Sequence, residues 1–153
     1  MAINRQLLNN GDFALPRKTI PVPKLRKLFT GLADGEIPTL TVRALTGNEL
    51  YLASEQRSDY SLRRVLLKAI NESVTQEAMI QAVVSTVMDP ERTSEEYAYR
   101  LAVFRFGVIE EDGKPTFTEM EVARIGEMFP VVIPEVTTEI LSLCQEGPQV
   151  GES

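Results

Sequence analysis

The chain has 153 residues, 43% apolar and 25% charged, a balance that suits one soluble domain with a workable core. It carries no histidine, one cysteine (Cys144) and a net charge of −6. These counts exclude His-based triads, acid–base pairs and metal sites, zinc knuckles and internal disulfides, and they argue against phosphate-backbone binding.

Met1 to Asn10 lacks the apolar centre of a signal peptide, and no apolar run approaches the ~20 residues that span a bilayer. A lone thiol fits a reducing cytoplasm. Residues 1–16 read as a partly disordered arm, with a turn at Asn9-Asn10-Gly11-Asp12. Arg17 to Pro23 alternates, but its prolines cannot donate to a ladder, so it reads as an edge strand or an extended arm. Lys24 to Phe29 is the one basic cluster. It is predicted as a solvated helical turn with Leu25, Leu28 and Phe29 inward, in preference to an anion site. Thr39 to Ala44 alternates as a half-buried strand and can pair with Arg17–Pro23. Thr46 and Glu49 then make a potential capping box for a helix through Leu50, Leu52 and Ala53.

From Ser61 the pattern is helical, with Leu62, Val65, Leu66, Ala69 and Ile70 on one stripe. After a break at Asn71–Thr75, Met79, Ile80, Val83, Val84 and Val87 form another, and Asp89-Pro90 ends it. Glu95 to Glu121 organises the remainder. Tyr97, Leu101, Phe104 and Val108 recur at helical spacing behind a potential box at Thr93 and Glu96. Asp112-Gly113 is a turn that calls for positive φ at the glycine. A second box at Thr118 and Glu121 opens a helix with Val122, Ile125 and Phe129 on one face. Pro134 suits the first turn of a last helix, with Val136, Ile140 and Leu143 inward. Gly147-Pro148 stops it, and residues 147–153 read as a disordered tail, leaving 17–146 as the single domain.

The run FGVIEEDGKPTFTEMEV resembles a segment of the tail assembly chaperones of long-tailed phages, and VRALTGNEL resembles an N-terminal part of the same family. The resemblance implies a protein that holds the tape measure protein soluble and extended while tail tube subunits polymerise, and that is absent from the finished virion. It further implies the host cytoplasm as the place of action. It also implies a longer, frameshifted product whose extension recruits tube protein. An extension starting after Glu146 is physically permissible, and an ordinary frayed tail is the alternative. A homo-oligomer is a possible working form. The alternative function is a structural tail-completion or head–tail connector protein; a regulator that binds one host protein ranks third.

No chemistry competes with these readings. With Gly113 at loop position 6, Glu110, Asp112 and Glu119 imitate an EF-hand, but Val108 stands where the first acidic ligand belongs and Pro115 interrupts the loop. Asn71-Glu72-Ser73 is a sequon in letters only, Glu95-Glu96 are helix-start charges, and Cys144 is a small core residue. No catalytic residue, cofactor or metal is expected. Contact surface remains: Met79, Val83, Val84 and Val87; Tyr97, Leu101 and Phe104; and Val136 and Ile140, each stripe a helix-in-groove candidate that can equally belong to the core. The predicted fold is α+β and predominantly α-helical, five or six helices with a short N-terminal two-stranded β element.

Overall fold

A computed structural model describes residues 1–59, 62–72, 75–89 and 93–150. The α+β, mostly helical class is as predicted, and the described residues form seven α-helices, one 3₁₀ helix and five short strands. Strands β1 (Phe13–Ala14), β2 (Arg17–Pro21) and β3 (Thr39–Arg43) lie near the N-terminus, β4 (Val108–Ile109) lies mid-chain and β5 (Gln149–Val150) lies near the C-terminus. The helices are α1 (Arg5–Asn10), α2 (Gly47–Asp59), α3 (Leu62–Asn71), α4 (Gln76–Met88), α5 (Glu95–Gly107), α6 (Glu119–Met128) and α7 (Val132–Glu146).

The expected pairing of β2 with β3 is present and antiparallel, with Thr19 opposite Thr41. The sheet has a third strand that the sequence reading missed: β4 joins the far edge of β3, Thr41 opposite Ile109 and Val42 opposite Val108. Two residues carry no alternation to read, and Val108-Ile109 continued a helical stripe in the sequence. Their burial, at most 2% exposed, identifies them as a core strand.

The capping boxes at Thr46/Glu49 and Thr118/Glu121 form in both directions. The cap of α5 is not Thr93 but Ser94, whose Oγ accepts the Tyr97 N–H at 3.2 Å. Both residues carry a hydroxyl, so spacing alone could not separate them. Asn4 caps the short α1 by accepting from the Leu7 N–H, structure within the arm that weak patterning had concealed. At the other end, where a disordered tail was expected, Gln149 and Val150 pair with Ala14 and Phe13. Residues 151–153 lie outside the described residues, as do Ser61, Ser73 and Pro90.

Gly113 adopts φ +85. Its N–H donates to the Glu110 carbonyl at 2.9 Å, and the Glu110 N–H donates to the Lys114 carbonyl at 2.8 Å. The turn returns the chain so that Phe117 stacks on Phe104, ring centroids 6.0 Å apart. A Cβ at Gly113 would meet only Arg17 Nη2, at 3.6 Å, so conformational strain and not crowding penalises substitution. Gly113→Val is expected to lose about 1 kcal/mol or more of stability, read as a lowered denaturant midpoint. An unchanged midpoint means that the turn does not constrain the fold.

One core unites the sheet with α2, α5, α6 and α7. Leu25 of the 3₁₀ helix (Pro23–Leu28), Val42, Phe104, Val122, Ile133 and Ile140 are among its fully buried side chains. Leu25 points inward as expected, whereas Leu28 is 44% exposed. Two glycines let helices approach closely. A Cβ on Gly107 would lie 2.5 Å from Ile140 Cδ1, and one on Gly126 would lie 2.0 Å from the Tyr97 hydroxyl. At the sheet's end, Arg43 grips Glu49 through two hydrogen bonds of 2.8 and 2.7 Å. Burial pushes the Glu49 carboxyl up, but the Arg43 guanidinium and the Thr46 amide together hold it below the usual carboxylate range. The pair fixes the start of α2 against β3.

Candidate interaction surface

Helices α3 and α4 stand apart from this core in composition and burial. α3 reads LRRVLLKAIN and α4 reads QEAMIQAVVSTVM. Thr75 caps α4 by accepting the Ala78 N–H at 3.2 Å. The two helices pack on each other through small residues: Ala69 is buried, and Val65, Ala69, Ala78, Ala82 and Thr86 line the groove between them. α3 also touches α2, but α4 packs chiefly on α3. The unit is thus a helical hairpin set on the body of the fold.

Most of the hairpin's bulky apolar side chains lack cover. No residue of α4 is buried. Ile80, Val84 and Val87 are 52–57% exposed and Met88 is 76% exposed, while Leu67 and Ile70 on α3 are 49% and 56% exposed. A helix that is apolar around most of its circumference is ordinarily enclosed by protein. Solvated rows at i, i+4 spacing on two adjacent helices form a patch of the kind that marks a contact site.

The sequence-derived surface residues therefore divide. Val84 and Val87 are exposed, and Met79 and Val83 are half-buried on the same helix. Tyr97 and Leu101 are half-buried between α5 and α6, with the Tyr97 phenol pushed up by burial and by Glu127 beside it. Phe104, Val136 and Ile140 are at most 2% exposed and are core, not contact surface. They had looked equally suitable because a helix's apolar stripe carries no label for what covers it. The sequence placed Leu66, Ile70 and Ile80 on apolar stripes without naming them as contact residues, and it did not single out Leu67 and Met88. The useful signal was the width of the apolar stripe on α4, whose polar row is narrowed to Glu77, Gln81 and Ser85.

The polar groups weighed for chemistry have structural partners. Asp112 accepts the Lys114 N–H at 3.0 Å and pairs with its ammonium, and Glu119 pairs with Arg105 at 3.0 Å. Cys144 Sγ accepts the Leu45 N–H at 3.3 Å, joining α7 to the end of β3. Among the described residues no three His, Cys, Asp or Glu side chains gather as a metal site would need, and no helix is long and apolar enough to cross a membrane. A mostly helical α+β protein with an uncovered apolar hairpin is what the geometry defines. No family model, curated protein or solved structure matches the chain.

Proposed function

We propose that this protein is a tail assembly chaperone of a long-tailed phage, acting in the host cytoplasm to hold the tape measure protein until tail tube subunits enclose it. The exposed apolar face of the α3–α4 hairpin carries this reading. A long helix-rich client aggregates through the same kind of surface, and a rigid body that offers a complementary face in many copies, singly or as a homo-oligomer, masks it reversibly. The string FGVIEEDGKPTFTEMEV adds support, because it spans one continuous unit here: the end of α5, β4, the Gly113 turn and the start of α6. Recruitment of tail tube protein through a frameshifted extension belongs to the same proposal. No step requires a catalytic residue, so we assign no enzymatic activity.

The test is co-purification with the product of the neighbouring tape measure gene. The wild-type protein is expected to retain it, and Val84→Glu with Val87→Glu is expected to lose it while keeping its melting temperature. Retention by the double variant moves the contact off the hairpin. Purified tails should lack the protein; a fixed copy number in them favours the structural tail or connector reading instead.

A further inference from the structure

We propose that the outer edge of β2 is a self-association surface, on which β2 of a second copy adds antiparallel about Thr19 to make one continuous sheet. The Val22 N–H donates to the Pro38 carbonyl at 2.8 Å and the Ala44 N–H to the Pro16 carbonyl at 3.0 Å. Given the register, with Lys18 opposite Val42 and Ile20 opposite Leu40, the even-numbered residues of β2 turn their peptide groups to β3. Alternation turns the peptide groups of Arg17 and Thr19, and the Pro21 carbonyl, to the other side. No strand lies there, because β2 ends the order β2-β3-β4. Arg17, Lys18, Thr19 and Pro21 are exposed, and among the described residues no hydrogen-bond partner meets the outward groups. The opposite edge of the sheet is closed: Pro115 bridges to Ile109, and the Thr116 N–H donates to the Val108 carbonyl at 3.1 Å.

An open edge is a template for another strand, and this one complements itself. Arg17 and Thr19 offer donors and acceptors, whereas Pro21 offers an acceptor without a donor. With Thr19 on a two-fold axis, Thr19 exchanges both hydrogen bonds with its counterpart. The Arg17 N–H of each copy then donates to the Pro21 carbonyl of the other, so the missing donor leaves only the Arg17 carbonyl to water. In this register Thr19 meets Thr19, Arg17 meets Pro21 and Lys18 meets Ile20, so no cation faces a cation. A two-residue slip one way sets Lys18 against Lys18. The opposite slip runs Arg17 past the strand's end, to Pro23 of the 3₁₀ helix. Lysine on an edge ordinarily repels a second copy, but the Lys18 ammonium is already paired with Glu139 at 2.8 Å. The pairing is isologous, uses no residue of the hairpin and is independent of the chaperone reading.

Sedimentation equilibrium and amide hydrogen exchange of the full chain test this. A strand pair of this length belongs to the weak end of interfaces, so both are read from about 10 µM to about 1 mM protein. A reversible monomer–dimer equilibrium is expected across that range. The Thr19 N–H should exchange freely in dilute protein and slow several-fold as the dimer forms, while the Ile20 N–H is protected throughout. Thr19→Pro removes a donor that the β3 ladder does not use, and should abolish the dimer. Pro21→Thr supplies the missing donor once in each copy and should tighten the dimer about tenfold, which decides the matter even where Thr19→Pro fails to fold. Val84→Glu with Val87→Glu should dimerise as the wild type does. A monomer at every concentration overturns the proposal, as does a Thr19 N–H already protected in dilute protein, which means that the chain covers its own edge. A dimer that survives in folded Thr19→Pro, that Pro21→Thr leaves unchanged, or that the hairpin double variant abolishes places the contact elsewhere and also overturns it.

Discussion

Phe104→Ala is expected to lower stability by about 3–5 kcal/mol, the range for an aromatic side chain removed from a packed core. Phe104 has no exposed surface, and its ring stacks on Phe117 across the turn that joins α5 to α6. Truncation therefore removes the transfer energy of the ring and also unseats Phe117, where the chain returns from the turn. A domain of this size has only about 5–15 kcal/mol in total, so the variant should unfold at markedly lower urea, with little native protein left at high growth temperature. Equilibrium denaturation followed by circular dichroism reads the effect. The comparison with Val84→Ala separates core from contact surface. Val84 is 52% exposed, so its truncation should change stability by less than about 1 kcal/mol. Similar costs at the two positions would contradict the division of the apolar stripes described above.

Gly107→Ala is the second large effect, and it comes from added volume. The new methyl would lie 2.5, 2.8 and 2.9 Å from three carbons of Ile140, a side chain with no exposed surface and no free direction in which to move. Overpacking of this kind costs about 1–3 kcal/mol. The helical propensity gained by alanine offsets only part of it, since glycine sits at the last residue of α5. The test is a double-mutant cycle with Ile140→Val. Removing a methyl group at Ile140 should cost less in the Gly107→Ala background than in the wild type, because it relieves the clash. Strict additivity would mean that the α5–α7 crossing adjusts without strain.

Both residues show where sequence reasoning succeeds and where it stops. The stripe containing Phe104 was legible as helical, since spacing is a one-dimensional property. Its cover was not, because whether Phe104, Val84 or Ile140 faces core or solvent depends on which helices arrive from elsewhere in the chain. The β2–β3 pairing was readable from Thr39–Ala44, where alternation marks a face. β4 was not, because its partners are nearly seventy residues away in sequence, at Thr41 and Val42. The Gly113 turn and two capping boxes were readable because they are local chemistry. Gly107 gave no signal at all: it is special only through Ile140, which belongs to a different helix. The hairpin was half visible: Val84 and Val87 were named as contact residues, Ile70 and Ile80 only as members of apolar stripes, and Leu67 and Met88 not at all.

The packing of α2 directly against α5 has a topological consequence. Those two helices close the body of the fold, and the hairpin is the length of chain that happens to lie between them, an excursion from one face of the core. The entropy of closing such an excursion grows only with the logarithm of its length, about 0.6 kcal/mol for each doubling. Lengthening, shortening or exchanging α3 and α4 is therefore nearly free for the body. The segment can be redesigned for another client, or excised and replaced by a short Gly/Ser linker, with the core as a fixed chassis.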